Sequence, residues 1–375
     1  MIGYLTTPTS SIGVSLSEFW AWIRYLAAIS GEGDITLTRS FFELDAHQKT
    51  ILSDDFGMGI PMLWLSDKLS LTEIVDGRYF MQKISASVGA TQKRTAKRGP
   101  NKTPDFVARD TRGKWHVIEC KGTQSGAEFS NKQIGKGGAL PTGGVAQKLS
   151  IRFPANYTGQ RLACGLSIGV EGGGRSLLKI VDPEPDDPFE FASDQLVLAD
   201  DAAFRGVMSR ALRMAGFEIT AGAVASPLGA APSSKRELSQ KEELRRWIDE
   251  RDVRSKKEIS DTDRHAQMFD KKFRGREIEI PLPREVLVDS RPVGKVIIRQ
   301  GINEEALASL LEQPTYEELV DEQQTPWINL MGKSIVSADG PTATMRIGDV
   351  FQSEIVFEGK DKSPVNRRRI SRTRS

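Results

Sequence analysis

Residues 103–123, TPDFVARDTRGKWHVIECKGT, limit the fold more than any other stretch of the chain. Two runs rich in β-branched and aromatic residues, 105–109 and 115–121, flank the turn formers Asp110, Thr111, Arg112 and Gly113, which is the pattern of a β-hairpin. Side chains alternate faces along a strand, so Glu119 and Lys121 point one way and Cys120 the other. A five-residue loop at 110–114 sets Arg109 opposite Trp115, Val107 opposite Val117 and Asp105 opposite Glu119. A slip of one residue moves the two acids to opposite faces. In the first register their Cβ atoms are about 5 Å apart, which is unfavourable unless positive charge lies between them. The other face carries Phe106, Ala108, His116, Ile118 and Cys120, a set suited to burial under a helix, with His116 a core histidine and Cys120 a small apolar residue.

A divalent cation is one source of that charge. The chain has two cysteines, at no zinc-ligand spacing, and three histidines far apart in sequence, so carboxylates are the available ligands and Mg²⁺ or Mn²⁺ the fitting ions. Such an ion lowers the pKa of a bound water and offsets charge on a phosphate, and Lys121 adds a point charge to the same face. Asp105, Glu119 and Lys121 thus supply the parts for phosphodiester hydrolysis. The glycine-rich loop 135–144 lacks the Gly-Lys-Ser/Thr ending of a phosphate-binding P-loop.

Around this hairpin the pattern alternates. Helices are expected at 16–30, 53–69, 145–153 and 199–215, a second hairpin at 161–182 across the turn EGGGR, and mixed signals at 71–87. This is an α/β core with a mixed sheet flanked by helices. The small-residue stretch 220–234 reads as a linker. Beyond it, helices at 235–258 and 303–320 and strands at 276–282, 294–300, 342–350 and 352–359 make a second, α+β unit. The expected organisation is therefore a catalytic unit over 1–219, a linker, an accessory unit over 235–360 and a basic tail over 361–375.

The net charge is only +2, yet the basic residues are clustered. Residues 91–102, including Lys97 and Arg98, hold five basic side chains and no acid, and residues 366–375 hold five arginines. Both segments, and Lys132 beside the glycine-rich loop, are candidates for nucleic-acid backbone contacts. No apolar run approaches the roughly 20 residues that span a bilayer, and no leader pattern opens the chain, so a cytoplasmic protein with no membrane partner is expected.

Pro104-Asp105 followed by Glu119-Cys120-Lys121 resembles the motif of the PD-(D/E)xK nuclease superfamily, the restriction-endonuclease-like proteins. Glu-x-Lys alone carries almost no information; its combination with Pro-Asp at a strand start and a compact turn carries more. The resemblance covers roughly 50–182. It implies a restriction-endonuclease-like core and Mg²⁺-dependent phosphodiesterase chemistry, with Asp105 and Glu119 as metal ligands and Lys121 assisting the attacking water. It further implies an acid from a preceding helix, Asp55 first and Glu73 second, and a polar pair on the following helix, Gln147 and Lys148. By analogy the substrate is DNA rather than RNA, the setting restriction or anti-phage defence, and the C-terminal unit a site for a protein partner or homo-oligomer. The competing expectation is a catalytically inactive nucleic-acid-binding or scaffold protein on the same fold.

Overall fold

A computed structural model describes residues 2, 5, 25, 28–30, 34–80, 103–138, 140–151, 154, 158–182, 193–225, 238–288, 291–316, 320 and 325–359. Lys97, Arg98 and the rest of the basic run 91–102, the basic tail, and most of the expected helix at 16–30 lie outside these residues.

The central sheet contains β2 (Leu71–Asp76), β3 (Phe106–Asp110), β4 (Trp115–Thr123), β5 (Thr158–Ser167) and β7 (Leu177–Val181), in the order β2-β3-β4-β5-β7. The β2/β3, β3/β4 and β5/β7 pairs are antiparallel, whereas β4 and β5 run parallel. A parallel neighbour requires a crossover. Helices α3 (Ala127–Ile134) and α4 (Gly143–Lys148) provide it. A small pair, β1 (Thr36–Leu37) with β6 (Gly169–Val170), lies beside the sheet and is followed by the one-turn helix α1 (Arg39–Phe42).

Helix α2 (Ala46–Lys68) packs on β4 and β5 and also reaches the second sheet. It starts earlier than the acidic turn at 53–55 suggests, because Asp45 caps it, accepting from the His47 and Gln48 amides at 3.0 and 3.1 Å. Pro61 sits inside the helix and removes one backbone donor, a cost of about 3 kcal/mol. Burial of Leu52, Phe56, Met62 and Leu65 offsets that cost.

Helices α5 (Ser193–Met214) and α6 (Glu218–Val224) follow the central sheet, then α7 (Leu238–Ser260). The linker expected at 220–234 is corrected through Val224: Thr220, Ala221, Ala223 and Val224 are buried in α6, and only 226–234 lie outside the described residues. The second sheet has the order β11-β12-β13-β10-β9-β8. Its strands are β8 (Ala266–Met268), β9 (Phe273–Val288), β10 (Arg291–Asn303), β11 (Ser334–Asp339), β12 (Thr342–Ile347) and β13 (Phe351–Glu358), and α8 (Glu304–Glu312) follows β10. One hydrophobic core joins the two sheets: Ile74, Phe106, Ile118, Val207 and Leu212 share it with Ile302, Leu307, Trp327 and Phe351. Among the described residues no helix is long and apolar enough to cross a membrane.

Candidate functional site

The turn holds the register that the site requires. Asp110 accepts hydrogen bonds from the Arg112 and Lys114 amides at 2.8 and 2.9 Å, and Gly113 takes a φ of 73° that favours glycine. Burial raises the Asp110 pKa, and these amides with His116 and Arg112 outweigh it, so the carboxyl sits below its ordinary value. Across the strands Arg109 faces Trp115, Val107 faces Val117 and Phe106 faces Ile118. One step further along, Asp105 lies across from Glu119.

Both acids are tied to the ladder. The Asp105 amide donates to Glu119 Oε2 at 3.1 Å, and Asp105 Oδ2 accepts from the Cys120 amide at 2.8 Å. Lys121 Nζ donates to Glu119 Oε1. The Glu119 side chain is fully buried and Lys121 is a quarter exposed. Burial, reinforced by the Asp105 charge, pushes the Glu119 carboxyl up to about 8 despite Lys121. Asp105 is raised by burial too, against the pull of Lys121. Burial disfavours the Lys121 ammonium, but Glu119 and Asp105 overcome this and raise its pKa. An acid pair with one cation thus sits where a second cation would be stabilised.

Two helices enclose the pair. Helix α4 crosses Glu119 so closely that a Cβ on Gly144 would stand 3.2 Å from Glu119 Cγ. Helix α2 meets β4 backbone to backbone: a Cβ on Gly57 would be 2.5 Å from Gly122 Cα, and one on Gly122 would fall inside the Ser53 carbonyl oxygen. This contact brings Asp54 within the electrostatic reach of Lys121 and Asp105. Asp54 is raised by burial and lowered by Lys121.

The remaining expected residues are dispersed. Asp55 accepts from the Tyr25 hydroxyl, whose ring stacks edge-on against Phe56, and its neighbour Asp54 is an acid whose charge couples to Lys121 and Asp105. Adjacent helical residues point about 100° apart, and the Gly57–Gly122 contact sets how closely this turn of α2 approaches β4. Glu73 belongs to a separate cluster on β2: it is 3.9 Å from Arg109 Nη1, and Asp200 of α5 is 3.3 Å from Arg109 Nε. Lys148 is corrected from a nucleic-acid contact to a buried tie: its Nζ donates to the Arg161 carbonyl and to Asp182 Oδ1 at 3.1 Å, with its side chain wholly enclosed. Gln147 is half-buried on α4, one turn from Gly144. Lys132 is exposed on α3. His116 is a satisfied core residue, with Nδ1 accepting from the Gln160 amide at 3.0 Å and Nε2 against Asp110 at 3.3 Å. Cys120 is buried beside Cys164.

The fold and this constellation define a mixed α/β protein with helix-flanked sheets and a carboxylate pair held by a lysine. A scan against protein-family models matches none, and searches of curated proteins and of solved structures return no significant match. Among the described residues no group of three or more His, Cys, Asp or Glu side chains converges as a ready metal cage.

Proposed function

We propose that the chain is a metal-dependent nuclease acting on DNA, with a restriction-endonuclease-like core and Asp105, Glu119 and Lys121 as its working residues. One observation carries the reading: Asp105, one residue beyond the Phe106–Ile118 register pair, donates its amide to the Glu119 carboxylate, which also holds Lys121. The strand order, an antiparallel β2-β3-β4 with β5 parallel to β4, supports it.

The residues fit Mg²⁺ or Mn²⁺, which takes one or two protein carboxylates and completes its shell with water and phosphate oxygens. Asp105 and Glu119 would hold the ion, with Asp54 adding negative charge from α2. A divalent ion held there would supply Lewis acidity, activating water and offsetting charge on the scissile phosphate. The Cys120 amide fixes the orientation of the Asp105 carboxylate. Lys121, part-exposed beside the pair, offers its ammonium to the phosphate or to the attacking water. Lys132 and the basic segments 91–102 and 366–375 supply charge for the polyanion, and a setting in restriction or phage defence accords with such chemistry.

The test is incubation of the purified chain with supercoiled plasmid, linear DNA and RNA, with Mg²⁺, Mn²⁺ or chelator. The expected result is metal-dependent DNA cutting, abolished by chelator and reduced at least about a hundredfold in Asp105→Ala and Glu119→Ala. Intact substrates under every metal condition, or undiminished cutting by those variants, overturn the reading. Retained binding without cutting would instead indicate a nucleic-acid-binding scaffold.

A further inference from the structure

Among the described residues, the second sheet ends on an edge without proline, bulge or a pairing strand beyond it. Strand β11 pairs with β12 alone among the described strands, in an unbroken register from Ser334↔Ile347 to Asp339↔Thr342. The opposite edge strand, β8, is only three residues long. Protective devices on an edge are shortness, proline, bulges and inward charge. Residues 334–339, SIVSAD, carry no proline, no lysine and no register shift. Every residue from Ile335 to Asp339 is exposed, Ile335 at 55% and Val336 at 39%.

The direction of the unpaired groups follows from one bond. The Lys333 carbonyl accepts from the Gly348 amide at 3.2 Å, so Lys333 turns toward β12. In an antiparallel ladder alternate residues turn the same way. Ile335, Ser337 and Asp339 therefore bond to β12, while Ser334, Val336 and Ala338 aim their N–H and C=O groups outward. Along this edge runs a groove of about 480 Å³, lined by Leu63, Trp64 and Asp67 of α2 and by residues 333–338. Trp64 is 46% exposed and Leu63 42%.

We propose that β11 is a homodimer interface: two copies pair their β11 strands antiparallel about a two-fold axis through Val336, joining the second sheets into one. Such an axis is perpendicular to the sheet and pairs residues of like parity, so outward-facing residues meet outward-facing residues. Centred on Val336, the register sets Ser334 against the partner's Ala338 and Val336 against the partner's Val336. These pairs and their symmetry mate give about six hydrogen bonds. The same register places Lys333 opposite the partner's Asp339, and Asp339 opposite the partner's Lys333. Moving the axis to Ile335 puts Lys333 against the partner's Ser337; moving it to Ser337 puts Ile335 against the partner's Asp339. Charge complementarity thus selects both a second copy of this chain as the occupant and the Val336 register. Helix α2 stands on the Val336 side of the sheet, where Leu63 lines a cavity with Val336, so Trp64 and Leu63 of both copies come to the same side of the joined sheet. Lys333 already leans on its own Asp67 at 3.6 Å, a surface pair that stays at the rim.

Sedimentation velocity and light scattering of the full chain across protein concentration test this. The expected result is a monomer–dimer equilibrium below about 100 µM. Val336→Pro removes an outward-facing amide and leaves the β12 ladder intact, and Asp339→Lys sets like charges across the axis. Each is expected to weaken the dimer at least tenfold, with a melting curve unchanged at concentrations where the parent is monomeric. The exchange Lys333→Glu with Asp339→Lys restores it. A monomer at every concentration, a dimer indifferent to either single substitution, or no recovery in the exchanged variant overturns the proposal. The test reads mass alone, so it stands or falls independently of DNA cutting.

Discussion

Glu119 concentrates the chemistry of the site in one side chain. Its carboxyl has been pushed from an ordinary 4.5 to about 8, first by burial and then by Asp105. A raised acid keeps its proton in the folded state while the unfolded chain releases it. The stability from this group is therefore complete below about 4.5 and is lost as pH rises to about 8. Glu119→Gln removes that loss: at pH above 8 it is expected to raise the melting temperature by a few degrees relative to the parent, while abolishing cutting. An unchanged pH–stability profile would show that Glu119 is ionised in the fold. Metal binding requires the carboxylate, so Mn²⁺ affinity measured by calorimetry should rise by up to about tenfold per pH unit between pH 6 and 8 and release a proton. A flat profile would place the metal elsewhere. At this scale the sequence was legible where parity rules: a period of two and a five-residue turn dictate Asp105 against Glu119. It was not legible for Asp54, whose coupling to Lys121 and Asp105 depends on a helix-to-strand contact that the residue itself does not encode.

The elements are held by contacts that small or buried residues disguise. Gly57 and Gly122 allow α2 to lie on β4 with no side chain between them. Gly122→Ala forces a methyl into the Ser53 carbonyl, so denaturant unfolding should show a loss of about 3 kcal/mol, and cutting should fall further because Asp54 moves with α2. Lys148 ties α4 to β5 and to Asp182 after β7. Lys148→Met keeps the aliphatic stem but leaves the Arg161 carbonyl without that donor, an expected loss of about 1–3 kcal/mol with DNA binding unchanged at equal folded fraction. Reduced affinity in a stably folded Lys148→Met would restore its nucleic-acid role. Both hairpins and the strands β9, β10, β12 and β13 could be read from alternation and turn residues. Helix α6 could not: a run of Ala, Gly and Thr reads as a linker until its surroundings are known. Its start is held by Glu258 of α7, which accepts from the Ile219 and Thr220 amides at 3.1 and 2.8 Å and from the Thr220 hydroxyl at 2.7 Å. Small residues there permit close packing against α5 and α7 rather than freedom of the chain. Strand β11, exposed at every position from Ile335 to Asp339, has no alternating pattern to betray it.

Across the whole molecule the two sheets share apolar contacts that a sequence division at residue 220 would separate. Helix α5 sits at the junction. Arg210 donates to the Ile74 carbonyl of β2 at 2.9 Å, and Asp201 accepts from the Val320 amide at 2.9 Å. Ile302, Leu307, Leu310, Trp327 and Phe351 are buried to 0% exposure in the core that also holds Ile74, Phe106 and Leu212. Burying each such side chain contributes about 1.5–3 kcal/mol. Together they match the whole stability of an ordinary domain, about 5–15 kcal/mol. Residues 1–225 expressed alone would expose the opposing surface and lose this contribution, so the fragment is expected to bind a hydrophobic dye and to unfold without a cooperative transition. The full chain should instead unfold the central and second sheets together, with hydrogen-exchange protection in β4 and β10 lost at the same denaturant concentration. A fragment as stable as the intact chain, or β10 exchanging well before β4, would mean that the shared core joins two independent folding units. That outcome would also free the second sheet to dimerise through β11 without any change at Asp105 and Glu119.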